Sequence, residues 1–107
     1  MVWRVEVLND AVLAELDALP VDMRAKLDRI VGLIESFGLE NVGGPHLKHL
    51  RGKLWEMRMK GRDGIARAIY VTASGKRVVI VHAFRKRTQK TPPSALRLAA
   101  ARAEEVR

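Results

Sequence analysis

The 107-residue sequence predicts an α+β fold with the element order β-α-α-β-β-β-α. Three observations predict it: an alternating apolar run near the N-terminus, two segments with helical periodicity, and three β-like runs joined by short turns. A helical hairpin must bury its apolar side against another layer. We therefore expect the N-terminal strand and the hairpin on one face of an antiparallel β-meander, followed by a C-terminal helix. The other sheet face is expected to stay open for solvent or a ligand.

The N-terminal half carries the strand and the hairpin. "VWRVEV", from Val2 to Val7, alternates apolar and polar residues as a half-buried strand does. Asn9 or Asp10 can cap the short helix "AVLAELDALP" that follows. A longer helix is predicted from about Val21 to Phe37, because its apolar residues recur at steps of three and four. The following glycine is suited to ending it.

The meander is predicted by three runs, "KLWEMRMK", "IARAIYVT" and "RVVIVHAF". The turns "GRDG" and "ASGK" that separate them are short enough to require antiparallel pairing. Pro92 and Pro93 end the sheet region, and Ser94 can cap the final alanine-rich helix. The whole chain, residues 1–107, is expected to form a single domain.

The charge is unevenly distributed along the chain. The net charge is +8 overall, but residues 1–45 hold four Lys/Arg against eight Asp/Glu, whereas residues 46–91 hold thirteen against two. The segments therefore carry −4 and +11. A basic half of this kind indicates a polyanionic partner, and nucleic acid is the first choice.

Several classes of function are excluded or disfavoured. The chain has no cysteine, so disulfides, thiolate metal sites and cysteine nucleophiles are impossible. No metal-ligand spacing or glycine-rich phosphate loop occurs, and neither a metal nor another cofactor is expected. Without a signal peptide or an apolar run long enough to cross a membrane, the protein is expected to be cytoplasmic, with no membrane partner.

The candidate functional residues are basic. Alternation in "LWEMRMK" turns Arg58 and Lys60 away from the helices together with Glu56. Arg67 is unusual because its neighbours in "IARAIY" are nearly all apolar. It could pair with Glu56 or Asp63, or it could lie on the open face in line with Arg58.

The stretch "HAFRKRTQKTP" ends the third run. Antiparallel pairing can bring its Arg85 and Lys86 into one concave patch with Arg58 and Arg67. Such a patch suits phosphate, which guanidinium groups bind bidentately and ammonium groups bind as point charges. His82, inside the apolar run, is more readily explained as a core histidine with a satisfied ring.

Three motifs, "LWEMR", "ARAIY" and "VVIVHAFRKRTQKTP", resemble the HigB-type toxins of the RelE/ParE superfamily, in particular the phage-derived branch. The similarity covers nearly the whole chain, including "GGPHLKHLRGKLWEMR". It implies a RelE-like fold and a toxin of a type II toxin-antitoxin system. The implied activity is that of an mRNA endoribonuclease (mRNA interferase), usually ribosome-dependent. The implied partners are mRNA, the ribosome and a HigA-like antitoxin with a helix-turn-helix domain.

The resemblance also implies a metal-independent reaction in which the RNA 2′-hydroxyl attacks the neighbouring phosphate. Carried over by motif, Arg58 and Arg67 would stabilise the charged transition state, while Lys86 and Lys90 would bind phosphate or move a proton. Six further cations are expected to bind RNA: Lys48, Arg51, Lys53, Lys60, Arg85 and Arg87. The general base stays open among four residues: Lys48, Lys53, His46 and His49.

Two other functions stay open from the sequence. One is a ParE-like toxin that acts on gyrase without cleaving RNA, since one fold can host different functions. The other is a non-catalytic RNA-binding module. The sequence also departs from several relatives, because no tyrosine or histidine follows "TQKTP".

Overall fold

A computed structural model describes residues 2–86 and 90–107. The elements in these ranges are β1 (Arg4–Val7), α1 (Asp10–Asp17), α2 (Val21–Phe37), β2 (Leu47–Arg51), β3 (Leu54–Gly61), β4 (Gly64–Ala73), β5 (Arg77–Lys86) and α3 (Pro93–Ala103). A short 3-10 helix, Leu39–Asn41, follows α2. No helix in the described ranges has the length and apolar character needed to cross a membrane.

The strands form one mixed sheet in the order β1-β5-β4-β3-β2. The predicted fold class is confirmed, with two additions. Strand β1 joins the sheet by pairing parallel to β5. The chain between the hairpin and the meander forms a further antiparallel strand, β2, at the opposite edge. The predicted turns "GRDG" and "ASGK" connect β3 to β4 and β4 to β5 as expected.

The helical hairpin packs on one sheet face, as predicted. The side chain of Asn9 caps α1 by accepting a hydrogen bond from the backbone N–H of Val12 at 3.0 Å. The apolar face of α2 is buried through Met23, Leu27, Ile30 and Ile34. Gly38 ends α2 with φ +91°, a conformation that favours glycine.

Helix α3 packs on the other face, against β4 and β5. The expectation that this face would be open is therefore wrong for β4 and β5, because Ala95 and Ala99 of α3 are buried there. The predicted Ser94 cap is also wrong: Pro92 occupies the N-cap, and Pro93 begins the helix, where its missing N–H costs nothing.

Beyond the end of β1, the side chain of Glu15 in α1 takes the place of a strand partner at the edge of β5. Its carboxylate accepts hydrogen bonds from the backbone N–H of Ala83 at 3.1 Å and from Arg102 of α3 at 2.9 Å. The Nδ1 atom of His82 lies 2.9 Å from the same carboxylate, so its ring has a partner, as expected. Glu15 thus joins α1, β5 and α3.

The pKa of the Glu15 carboxyl is held below its ordinary value of 4.5. Desolvation opposes this shift, but the hydrogen bonds from His82, Ala83 and Arg102 outweigh it. A lowered folded-state pKa stabilises the fold above the unfolded value, and that stability is lost as the pH falls through the folded value. The ionised form of Glu15 is therefore the stabilising one.

We expect Glu15→Gln to lower the free energy of unfolding at neutral pH. The difference from wild type should shrink as the pH falls from 4.5 through the lowered pKa, because the wild-type carboxyl is then neutral as well. Urea unfolding at a series of pH values measures it, with the exposed Glu104→Gln as the matched control. A difference that stays constant at acidic pH would contradict the role of the charge.

Candidate functional site

A buried ion pair lies at the centre of the sheet face that α3 partly covers. Glu56 of β3 is 0% exposed and Arg67 of β4 is 1% exposed. The Nη1 atom of Arg67 donates a hydrogen bond to Oε2 of Glu56. Thr91 donates its hydroxyl to Oε1 of the same carboxylate at 2.8 Å, and the Nε of Arg58 lies 3.5 Å from Oε2. The Glu56 carboxylate therefore contacts groups from three segments: β3, β4 and the segment before α3.

This pair decides between the two interpretations of Arg67. The residue pairs with Glu56, so the expectation of a guanidinium exposed on an open face is wrong. A charge this deeply buried requires a partner, because desolvation of an unpaired ion is very costly. Arg67 also lines a cleft beside the pair, although only 1% of it is exposed.

The cleft has a volume of about 280 Å³ and separates β2 from the segment before α3. It is lined by Lys48, His49, Leu50, Arg67, Lys90, Thr91 and Leu96. No carboxylate of the described residues lines it. We name this space the Arg67 cleft; it gathers three cations and one histidine around a volume suited to a phosphate group.

Two further predicted residues lie near Arg67 in the sheet, although neither lines the Arg67 cleft. Arg58 lies directly opposite Arg67 in the β3–β4 register. Lys86, at the end of β5, pairs with Ile65, two residues before Arg67. Desolvation and then the positive charge of Arg67 lower the pKa of Lys86, while Glu56 opposes the shift. Lys86 therefore releases its proton more readily than an ordinary lysine.

The structure does not bring all the predicted cations to the cleft. Arg85 is turned to the β3–β4 turn, where its Nη2 donates to the carbonyl of Asp63 at 2.7 Å. Arg51 and Lys53 lie at the β2–β3 hairpin, and Lys53 lines a depression beside the end of α3. Lys60 lines a different cleft near α2. Arg87 lies outside the described residues.

The four candidates for the general base also lie in different clefts. Lys48 and His49 line the Arg67 cleft. Lys48 lies opposite Glu56 in the β2–β3 register. His46 belongs to the cleft near α2, and Lys53 lies at the hairpin. The geometry therefore favours Lys48 and His49 over the other two.

Sequence reasoning missed the role of two residues. Glu56 was considered only as a partner for Arg67, and Thr91 was given no role. One signal could have identified Glu56: it is one of only two carboxylates among thirteen cations in residues 46–91. No local pattern identifies Thr91, which lies 35 positions from Glu56.

Two solved structures share the fold. E. coli toxin RelE, in the free state and with two arginines replaced by alanine, matches with a TM-score of 0.65 and 16% identity, covering 95% of this chain and 98% of that one. A chain of the archaeal RelE–RelB complex from Pyrococcus horikoshii OT3 matches with a TM-score of 0.56 and 21% identity, covering 84% of this chain and 100% of that one. No curated protein matches the chain in sequence.

These similarities show an α+β fold of the RelE type. The family of phage-derived Gp49-like proteins (DUF891) matches residues 14–104. The chain belongs to this family. The expected phage-derived relationship is thereby confirmed, and the HigB branch stays a prediction.

Proposed function

We propose that this protein is the toxin of a type II toxin-antitoxin system, of the HigB type, and that it inhibits translation by cleaving mRNA. The Arg67 cleft is the observation that carries the proposal, because it brings together three cations around a space of about 280 Å³, large enough for a phosphate group, that no carboxylate of the described residues lines. The Gp49-like family and the RelE-like fold support it. The protein is proposed to act in the cytoplasm.

The proposed reaction is attack of the RNA 2′-hydroxyl on the adjacent phosphorus. The bond to the 5′-oxygen of the next nucleotide breaks, leaving a 2′,3′-cyclic phosphate and a 5′-hydroxyl. Negative charge accumulates on the phosphorane oxygens, and donors fixed in advance stabilise it most effectively. Arg67, which is held by Glu56 and lines the cleft, is proposed as such a donor. Arg58 is the second, because it lies directly opposite in the register.

Protons must also leave the 2′-hydroxyl and reach the 5′-oxygen. We assign Lys86 as the acid for the 5′-oxygen, since its lowered pKa eases proton release. Lys48 and His49 are the candidates for the base, because they line the cleft with Arg67. Lys90 lines the same cleft and is proposed to bind phosphate.

The proposed partners are mRNA, the ribosome and a HigA-like antitoxin with a helix-turn-helix domain. The RelE–RelB complex with the same fold supports an antitoxin partner. An acidic antitoxin segment would complement the +11 charge of residues 46–91.

Induced expression in bacteria tests the proposed function. We expect growth arrest together with new mRNA ends that carry 2′,3′-cyclic phosphates, mapped by sequencing of RNA termini. Cleavage of purified mRNA with and without ribosomes then measures ribosome dependence. Growth arrest with intact mRNA and inhibited DNA supercoiling would overturn the proposal in favour of a gyrase toxin. RNA binding without cleavage or growth arrest would leave a non-catalytic module.

A further inference from the structure

A second basic cleft lies between α2 and the end of the sheet. Its larger part, about 330 Å³, is lined by Lys26, Pro45, His46, Arg58, Lys60 and Ile65. A smaller adjoining part of about 130 Å³ is lined by Lys26, Arg29, Ile30 and His46. Because the two parts share Lys26 and His46, we treat them as one surface and name it the α2 cleft.

Three of the four cations that line the α2 cleft have no partner of opposite charge among the described residues, whereas Arg58 lies 3.5 Å from the Glu56 carboxylate. No carboxylate of the described residues forms an ion pair with Lys26, Arg29 or Lys60. No Asp or Glu among the described residues lines either part of the cleft. Lys26 and Arg29 belong to the N-terminal half, whose net charge is −4, so their position here is not a consequence of general basicity. Like charges gathered without a counter-ion favour an anionic ligand.

Arg58 connects this surface to the Arg67 cleft. Its side chain lines the α2 cleft, and its Nε lies 3.5 Å from the carboxylate that holds Arg67. The Cβ atoms of residues directly opposite in an antiparallel pair are about 5 Å apart, close to the spacing between neighbouring phosphates of RNA. One RNA chain can therefore contact Arg67, Arg58 and the α2 cleft in succession.

We propose that the α2 cleft binds the phosphates of the nucleotides that flank the cleavage point on the same mRNA strand. This inference rests on the proposed function, because the position of the cleavage point along the RNA comes from it. Lys26, Arg29 and Lys60 would each bind backbone phosphate, which carries no sequence information. Among the described residues no Trp, Tyr or Phe lines the cleft, and His46 is the one ring there on which a base could stack.

An acidic protein segment is the competing occupant. Protein interfaces depend on buried aromatic and arginine anchors that fill pockets. Between its cations the α2 cleft offers isoleucine and proline side chains and the ring of His46, without a Trp, Tyr or Phe among the described residues. A charged polymer that needs little apolar contact fits this lining better, and RNA is such a polymer.

Salt-dependent binding of a non-cleavable RNA tests the inference. The probe is 2′-O-methyl RNA of about ten nucleotides, which lacks the attacking hydroxyl, compared with a dinucleotide of the same chemistry. The variant is Lys26→Gln/Arg29→Gln. The matched control is Arg4→Gln/Lys76→Gln, because both are exposed at the β1 edge, opposite β2 in the sheet order.

We expect the variant to bind the long RNA more weakly and with a shallower salt dependence. Each single-strand phosphate contact contributes about 0.7 to the slope of log K against log salt concentration, so losing two contacts lowers it by about 1.4. Dinucleotide binding should stay unchanged, and the control variant should behave as wild type.

Three results would overturn the inference: an unchanged slope, an equal loss in the control variant, or an equal loss of dinucleotide binding. A different result would assign the cleft to a protein segment instead: polyglutamate competes with RNA for the wild-type protein but not for the variant, while the variant binds RNA as the wild type does. The proposed function is tested separately, because binding of the 2′-O-methyl RNA requires no cleavage. If the wild-type protein does not cleave mRNA but the variant shows the expected change of slope, the nuclease is rejected and the RNA-binding cleft is kept.

Discussion

Replacing Arg67 by alanine is expected to lower the free energy of unfolding by about 3–5 kcal/mol. The substitution leaves the carboxylate of Glu56, which is 0% exposed, without its most buried partner. Arg58 at 3.5 Å and the hydroxyl of Thr91 at 2.8 Å compensate only in part. Urea unfolding measures the change as a shift of the midpoint at constant slope.

The double variant Glu56→Leu/Arg67→Met is the informative companion. Replacing both partners of a buried ion pair by apolar residues of similar volume is often neutral or stabilising by about 1–4 kcal/mol. We therefore expect it to fold at least as well as wild type and yet to lose RNA cleavage. This outcome would separate the contribution of Arg67 to stability from its proposed role in RNA cleavage. If Arg67→Ala changed stability by less than about 1 kcal/mol, the deep burial of the pair would be contradicted.

Replacing Lys86 or Arg58 by alanine is expected to reduce RNA cleavage by a factor of about 10²–10³ with the fold retained. The factor is that for losing one preorganised donor to a developing charge. The side chain of Arg58 is 28% exposed, and Lys86 is also partly exposed, so neither change leaves a cavity in the core. Single-turnover cleavage of mRNA measures the rate, and Arg97→Ala on the exposed side of α3 is the charge-matched control.

Lys86→Arg distinguishes proton transfer from charge alone. Arginine keeps the positive charge but does not release a proton near neutral pH. As the acid, Lys86 must be protonated, so wild-type cleavage should fall as the pH rises through its lowered pKa. We expect Lys86→Arg to lose most of the activity together with this alkaline decline. A fully active Lys86→Arg would show that Lys86 contributes only charge.

The sequence predicted those features that depend on local chemistry. The bounds of α2, Val21–Phe37, agree with the periodicity, because one apolar face decides where a helix lies. The short turn after β3 fixes the register of the β3–β4 hairpin and places Arg58 opposite Arg67, as expected from antiparallel pairing. Pattern and turn chemistry were sufficient at these positions.

Features that depend on distant contacts could not be predicted. The sheet face chosen by α3 is set by packing against β4 and β5, which no local pattern encodes. The sequence leaves two arrangements open for Arg67, and only the fold shows that it pairs with Glu56. Lys26 and Arg29 lie on a helix in the acidic half, so only the fold shows that they adjoin Arg58.

The bond between Thr91 and Glu56 has a consequence for the order of events during synthesis. Chains emerge from the ribosome N-terminus first, and Thr91 is made 35 residues after Glu56. A nascent chain that ends before this segment contains the residues of β1 to β5, but it lacks Lys90 and the hydroxyl that donates to the Glu56 carboxylate. The Arg67 cleft is therefore completed only by a segment that is made after all the strands that carry its other residues.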